Sequence, residues 1–202
     1  GNGPVVSLYD YSGKLTFVAN KDVTVYAESI NEEGKAVYGV VSAGDIDINS
    51  KNFTVTAISA TDRFTGVSQD KNTRGEIVGV DIYDGKFNVS ENTKFVVDVK
   101  ENGTRVPNDI TNPCLGASKA YGFLAEAGGL VEVKGETDID VINKGAEAYG
   151  IKAIDNSYTS TTGDKEGNAK VTFSGNTDIS VEGKKLAAAI WAQNDKDDKT
   201  VD

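Results

Sequence analysis

The stretch AYGFLAEAGGLVEVKGETDIDVINKGAEAYGIKA, residues 120–153, decides the fold class. It begins and ends with the same motif: alanine, tyrosine, glycine, an apolar residue and, two positions later, a second alanine. The apolar residues of these two copies, Phe123 and Ile151, are 28 residues apart. A motif that returns at such a spacing is typical of repeat architectures, in which each repeat packs on its neighbours.

Further copies of the motif occur along the rest of the chain. Val37–Val40 and Val78–Val80 contain the same glycine, Ala188–Ala192 is a degenerate copy, and Pro4–Ser7 resembles the opening of another. We take the apolar residue after the glycine as the reference position of each copy. The reference positions are Val5, Val40, Val80, Phe123, Ile151 and Ile190, spaced by 35, 40, 43, 28 and 39 residues.

Two alternating apolar pairs follow each of the first five reference positions. The first pairs are Leu15/Phe17, Ile46/Ile48, Phe87/Val89, Val131/Val133 and Val171/Phe173. The second pairs are Val23/Val25, Phe53/Val55, Phe95/Val97, Ile139/Val141 and Ile179/Val181. A period of two among β-branched and aromatic residues, with turn-forming residues between the pairs, is typical of β-strands.

These strands predict an all-β fold that is a parallel β-helix, or solenoid, of about five coils with three short strands per coil and with loop insertions. The chain, residues 1–202, forms a single domain in this interpretation. An antiparallel meander would need a hairpin signal at every turn, and such signals, of which Asn102-Gly103 is one, are scarce. We expect the reference residues from Val40 to Ile190 to form one interior stack and the helix content to stay below about 5%.

The repeat length varies because three polar segments are inserted between strands. They are Thr61–Gly75, Lys100–Ser118 and Asn156–Gly167, and they are rich in Asn, Asp, Thr, Lys and Gly. The shortest repeat does without such a segment. We expect ligand contacts to be made by these loops and by outward-facing side chains, with Phe64 and Tyr158 as exposed anchors. The alternative is that the loops are tolerated insertions without a role.

Composition excludes several classes of function. The chain has 21 basic and 31 acidic residues, a net charge of −10, which argues against nucleic-acid partners. It has no histidine, so catalysis and metal ligation by histidine are excluded, and its one cysteine, Cys114, has no partner for a disulfide within the chain. No run of 18 apolar residues occurs, so we expect no direct membrane insertion. We expect no cofactor.

The Tyr-Gly-aliphatic-x-Ala motif, the Gly-x-Thr-Asp-Ile-x-Val motif at Gly135–Val141 with its partial copy at Asn176–Val181, and the inserted loops resemble the passenger domains of autotransporters. Members of that family are surface-exposed, right-handed β-helices of bacteria that often act as adhesins. The resemblance covers most of the chain. It implies a fragment of a longer exported protein that is anchored in the outer membrane. It also implies attachment to a host or bacterial surface protein or glycan, with self-association as a further expectation.

The residue after each reference position is predicted to face solvent, because its chemistry differs from copy to copy. These candidate binding residues are Val41, Asp81, Leu124, Lys152 and Trp191. Trp191 would provide an aromatic platform for a sugar or a partner. The alternative is that it packs under a loop or against a further coil, as tryptophan is mostly buried. Tyrosines recur at another position, Tyr38, Tyr121 and Tyr149, where we expect a structural stack rather than a binding ladder.

Carboxylates at Asp138 and Asp140 lie two residues apart on one strand face, with Asp178 expected one coil away and Lys94 on the other side. Such a group could bind Ca²⁺ or act as an acid/base pair. A solvated face balanced by Lys94 is the favoured interpretation. The alternative function, a polysaccharide lyase or glycoside hydrolase, needs clustered carboxylates or clustered basic residues. The three arginines lie in predicted loops, so we expect no enzyme and no metal site.

Overall fold

The computed structural model describes residues 5–29, 36–59, 76–101, 119–144, 147–155, 158–160, 163–165 and 169–194. Strands account for 81% of this part of the chain, and it contains no helix, so the all-β prediction is confirmed. Thr61–Gly75, most of Lys100–Ser118 and Cys114 lie outside the described residues.

The described strands follow one another without other regular structure between them. In chain order they are β1 (Val5–Asp10), β2 (Lys14–Ser29), β3 (Val37–Ser42), β4 (Asp45–Ser59), β5 (Ile77–Tyr83), β6 (Lys86–Val89), β7 (Lys94–Glu101), β8 (Lys119–Glu126), β9 (Leu130–Val133), β10 (Thr137–Asn143), β11 (Glu147–Asp155), β12 (Tyr158–Ser160), β13 (Gly163–Lys165), β14 (Lys170–Phe173), β15 (Thr177–Gly183) and β16 (Leu186–Asn194).

Two parallel sheets contain all of these strands except a small hairpin. The first sheet has the order β1-β3-β5-β8-β11-β16. The second sheet has five rows, namely β2, β4, β6 with β7, β9 with β10, and β14 with β15. We call one strand of the first sheet, together with the row of the second sheet that follows it, a rung. Five rungs stack in chain order, and β16 adds one further strand to the first sheet. The hairpin, β12 with β13, is antiparallel and falls in the third inserted segment.

The predicted apolar pairs lie beside one another on successive rungs. Leu15, Ile46, Phe87, Val131 and Val171 form one continuous column of paired residues. In the second set, Val23 pairs with Phe53, and Phe53 pairs with Phe95. Period-two alternation therefore predicted correctly that the apolar residues of these pairs lie on the inner side of the second sheet.

Two register predictions are wrong. In the first copy, the residue that lies beside the reference residue Val40 is Leu8 and not the predicted Val5, which pairs with Val37. Between β7 and β10 the register is shifted by two residues, so that Thr137, rather than Ile139, pairs with Phe95. The turn before β10 is shorter than the turn before β7, which contains a hydrogen bond from the Thr93 amide to the Ser90 carbonyl (3.1 Å). Thr137 tolerates the buried position because its hydroxyl donates to the Gly135 carbonyl (3.3 Å).

The core lies between the two sheets and runs through the stack. The predicted interior stack is confirmed for Val40, Val80, Phe123 and Ile151, which are at most 4% exposed. The prediction is wrong for Ile190, which pairs with Ile151 in register but is 68% exposed. The reason is that the described part of the second sheet has no row opposite β16.

The recurring glycine of the motif is explained by close packing of the backbones. At Gly122 a Cβ atom would lie 2.5 Å from the Gly150 carbonyl oxygen and 2.6 Å from Cγ2 of Ile139 in the second sheet. Real Cβ contacts are never that short, so any side chain would push the next rung or the opposite sheet away. Glycine is required there because it allows the two backbones to approach.

Candidate functional site

The outer faces of the two sheets differ in chemistry. Side chains on the outer face of the second sheet are polar or charged along most rungs, including Lys14, Asp47, Asn88, Lys94 and Asp138. The outer face of the first sheet contains a second apolar cluster, separate from the core, with Val78, Tyr121, Leu124 and Tyr149 at its centre. We call this cluster and the side chains around it the aromatic face. A solvated sheet face would be polar, so the aromatic face is the candidate functional site.

A column of aromatic rings forms the middle of the aromatic face. The ring centroids of Tyr121 and Tyr149 are 5.3 Å apart and their planes are inclined by 15°, a stacked pair. Trp191, on the next strand, meets Tyr149 edge-on at 5.9 Å and 76°. Tyr38 packs against the cluster as a partly buried member. The predicted stack is confirmed for Tyr121 and Tyr149, which lie outside the main core, but it does not include Tyr38, because Val78 lies between Tyr38 and Tyr121 in register.

The predicted outward column lies on this face, but it is not uniformly exposed. Val41 and Asp81 are partly exposed and Trp191 is 40% exposed. The prediction that the column faces solvent is wrong for Leu124 and Lys152, which are 4% and 5% exposed. Leu124 is covered because it belongs to the apolar cluster.

Lys152 is buried against the tyrosine rings. Its Nζ atom is 4.8 Å from the ring centroid of Tyr149 and 5.9 Å from that of Tyr121. At these distances the quadrupoles of the rings attract the ammonium group. Lys152 is therefore part of the packed aromatic column and does not face solvent as predicted.

Glutamates flank the aromatic column and bind its hydroxyl groups. The Tyr38 hydroxyl donates to Glu76 (3.0 Å) and the Tyr149 hydroxyl donates to Glu147 (2.9 Å). Burial raises the pKa of Tyr149 to about 12, with further contributions from the hydrogen bond and the charge of Glu147. The sequence analysis missed these glutamates. A signal was present, because Glu147 directly precedes the Ala-Tyr-Gly motif and the same position is Glu76 in an earlier copy.

Asp81 is the most perturbed carboxyl group of the aromatic face. Burial, together with the smaller effects of the charges of Glu126 and Glu76, raises its pKa from 3.8 to about 8. Within the described structure its Oδ1 atom is buried and makes no hydrogen bond. The group therefore exchanges a proton near neutral pH, unlike an ordinary aspartate.

A second, weaker candidate is a polar cleft of about 360 Å³ on the outer face of the second sheet. Its lining residues are Asp47, Ile48, Asn49, Asn88, Val89, Ser90, Glu132 and Lys134. The Asn88 amide donates to Asp47 (2.8 Å), and Lys14 forms an ion pair with the same carboxylate (2.8 Å). Most of its polar groups thus have partners already, as expected of a solvated face.

The predicted carboxylate group is only partly assembled. Asp138 pairs with Asp178 in register, as expected. The prediction that Lys94 lies on the other side is wrong, because the shifted register places Val96 there and Lys94 forms an ion pair with Glu136 (3.0 Å). Among the described residues, no three His, Cys, Asp or Glu side chains are grouped so that they could hold a metal ion.

The structure does not test the two predicted loop anchors. Phe64 lies outside the described residues. Tyr158 is the first residue of β12, where its backbone pairs with Lys165.

Comparison with known proteins gives no relative for this arrangement. The chain matches no protein-family model, no curated protein and no solved structure. The described part of the chain contains no helix that is long and apolar enough to cross a membrane.

Proposed function

We propose that the chain is a structural and adhesive solenoid displayed at the bacterial surface, where it attaches to a protein or glycan partner. In this proposal the two sheets are the walls of a right-handed parallel β-helix, as in autotransporter passenger domains. The predicted three short strands per coil apply to the last three rungs, whereas β2 and β4 are single strands of 16 and 15 residues in the first two. The support is the order of the strands: the chain adds one strand to the first sheet, then one row to the second, five times in succession and always in parallel. A chain that advances in this way winds around a single core.

The observation that carries the adhesive function is the aromatic face. The space between the sheets is filled by core residues such as Phe53, Phe87 and Phe95, none of which is measurably exposed. We therefore expect ligands to contact the outer faces of the sheets and the loops. Of the two outer faces, that of the first sheet carries the aromatic face. Its stacked rings Tyr121 and Tyr149 are buried (3% and 4% exposed), so in this proposal the ligand contacts the exposed rings at the two ends of the face, Tyr9 (61%) and Trp191 (40%).

This chemistry suits sugars and polar protein segments. Sugar rings and the apolar parts of peptides pack on aromatic faces, while carboxylates such as Glu126 and Glu147 accept hydrogen bonds from hydroxyl, amide or ammonium groups. Aromatic residues are enriched where proteins bind partners, since they bury a large area at low entropic cost. In this proposal the inserted segments also take part in ligand contacts.

The test is a binding screen with paired variants. Fluorescently labelled protein is applied to a printed array of bacterial and mammalian glycans and to immobilised matrix proteins. Glu126→Gln with Glu147→Gln, on the aromatic face, is expected to weaken binding roughly tenfold or more, the usual effect of removing charged hydrogen bonds. The matched control, Asp47→Asn with Glu132→Gln in the polar cleft, is expected to bind like the unmodified protein. Equal loss in both variants, or no binding by the unmodified protein, would contradict the proposal.

The competing enzyme function has less support. Of the carboxylates that would act as acid and base, Asp140 is already engaged in an ion pair with Lys100 (3.6 Å), which also binds Asp98 (2.8 Å). We therefore propose that the chain has no catalytic activity. A screen on pectin, alginate and chondroitin sulfate is expected to give no turnover. Turnover that disappears in Asp138→Ala would establish an enzyme instead.

A further inference from the structure

The chain contains three copies of the sequence asparagine, any residue but proline, then serine or threonine. They are Asn52-Phe53-Thr54, Asn88-Val89-Ser90 and Asn102-Gly103-Thr104. In surface-exposed chains this sequence is the acceptor for sugars that are linked to the asparagine amide. So short a motif also arises by chance, and the surroundings of each copy decide whether it is an acceptor. The third copy lies outside the described residues.

The copy at Asn88 presents its two functional groups outward and together. Asn88 and Ser90 are partly exposed on the outer face of the second sheet, whereas Val89 between them is 1% exposed and belongs to the core. Side chains two residues apart on an extended strand point to the same side, so the amide and the hydroxyl face solvent side by side. The copy lies on the third rung, with described rungs on both sides of it.

The hydrogen bonds of Asn88 are compatible with a linked sugar. Its Nδ2 atom donates to the Asp47 carboxylate on the preceding rung (2.8 Å). A primary amide has two N–H bonds, and a link to a sugar replaces one of them, so the other can still donate to Asp47. Ser90 is held in turn by its bond to the Asn49 side chain (3.2 Å). The preceding rung therefore orients both groups of the acceptor sequence.

The polar cleft of about 360 Å³ adjoins this asparagine. Asn88 is among the residues that line the cleft, and Asn52 is not. Pockets that hold small molecules have volumes of about 300–1,000 Å³, so the cleft has room for a sugar unit attached at its wall. A sugar linked at Asn88 would therefore enter a space that the fold already provides.

The far wall of the cleft offers hydrogen-bonding groups that suit a sugar. Glu132 lies beside Asn88 in register on the next rung, and Lys134 follows two residues later. Their side chains are 50% and 52% exposed, and the ion pair between them is long (3.5 Å). An exposed pair of this kind is weak, so both side chains are available to other partners. The carboxylate accepts and the ammonium group donates, and a sugar hydroxyl does both.

We propose that Asn88 is glycosylated on its side-chain nitrogen and that the first sugar unit lies in the polar cleft. The sugar comes from a phosphate-activated donor, linked to a nucleotide or a lipid, through a transferase of the producing cell. The bond from Nδ2 to C1 of the sugar forms, the bond from C1 to the phosphate oxygen breaks, the amide loses a proton and the phosphate leaves. The inference goes beyond the adhesive function and does not depend on it, because the aromatic face belongs to the other sheet.

Peptide mass spectrometry tests the attachment. Protein isolated from the cells that produce it is compared with protein from a host that has no asparagine glycosyltransferase. We expect the peptide containing Asn88 to be heavier by one or more sugar units in the first preparation alone. In the producing cells, Asn88→Gln and Ser90→Ala should abolish this gain, whereas Ser90→Thr keeps the acceptor sequence and should retain it. Asn52→Gln, the matched control, should leave Asn88 modified. An unmodified Asn88 in the protein from the producing cells, or a sugar that persists in Ser90→Ala, would overturn the proposal.

The rate at which periodate oxidises neighbouring sugar hydroxyls tests the place of the sugar in the cleft. Glu132→Ala with Lys134→Ala leaves the acceptor sequence intact and should expose the sugar, so that oxidation becomes roughly tenfold faster, the effect of about 1.4 kcal/mol of lost contacts. The matched control removes another ion pair of the same outer face, Lys94→Ala with Glu136→Ala (3.0 Å), and should leave the rate unchanged. Equal rates in all three proteins would refute the placement in the cleft. Ligand binding at the aromatic face is expected to be the same with and without the sugar, so failure of this proposal is distinguishable from failure of the adhesive function.

Discussion

Replacement of Phe123 by alanine tests whether the core between the two sheets is continuous. Phe123 is fully buried and contacts three other rings, Phe95 (5.6 Å), Phe87 (6.1 Å) and Phe173 (5.6 Å between centroids). A buried Phe→Ala change costs roughly 3–5 kcal/mol through lost burial and the cavity that remains. Each aromatic pair adds roughly 0.5–1.5 kcal/mol. We therefore expect a loss near the upper end, about 5 kcal/mol of unfolding free energy.

Urea unfolding followed by far-ultraviolet circular dichroism measures this loss. With a slope of about 3 kcal/mol per molar urea, the midpoint should fall by roughly 1.5 M. The matched control is Ile190→Ala, which changes a residue of the same column that is 68% exposed. It should cost less than about 1 kcal/mol, because little burial is lost. A loss below about 1 kcal/mol for Phe123→Ala, or equal losses for both variants, would refute the placement of the core.

Three further changes test other parts of the structure. Gly122→Ala should lower the urea midpoint far more than Gly13→Ala, since Cβ meets backbone at the first position (2.5 Å) and only the flexible Asp10 carboxylate at the second (3.2 Å). Thr93→Val should lower the free energy of unfolding in urea by roughly 1–3 kcal/mol. The reason is that the Thr93 hydroxyl accepts a hydrogen bond from the Ser50 amide (3.1 Å) and donates one to the Ser50 carbonyl (2.7 Å). Asp81 has its pKa raised to about 8 in the folded protein, so it stabilises the fold at low pH and this contribution is lost as pH rises from about 4 to 8. Asp81→Asn stays neutral and should exceed the unmodified protein in stability at pH 9 but not at pH 4, when unfolding is measured across that range.

The strands could be predicted from the sequence because their signal is local. Alternation of apolar and polar residues, as in Phe87/Val89 or Val131/Val133, fixes which side chains point inward without reference to the rest of the chain. The register between rungs depends instead on turn geometry. The shift that places Thr137 beside Phe95 arises from a shorter turn, and the apolar pattern alone favoured Ile139 at that position.

Strand length was also hard to predict. The sequence suggests separate first and second strands on every rung, but β2 and β4 continue through the predicted turn, over 16 and 15 residues. In the third rung Thr93 ends the first segment through its bonds to Ser50, whereas the corresponding part of β4 stays extended. Turn-forming residues permit a break, and the side-chain hydrogen bonds available to them decide whether one forms.

The candidate site shows what alternation cannot tell. The repeat pattern placed Leu124 and Lys152 correctly on the outer side of the first sheet. A side chain on the outer side of a sheet is not necessarily exposed to water, however. The chemistry of the outward residues carried that information. On the second sheet the outward residues of the Thr-Asp-Ile-Asp-Val segment are aspartates, as a solvated face requires. On the first sheet the outward residues of the Ala-Tyr-Gly copies include Tyr121, Tyr149 and Leu124, and apolar residues repeated on an outward column need a second layer of packing or a partner.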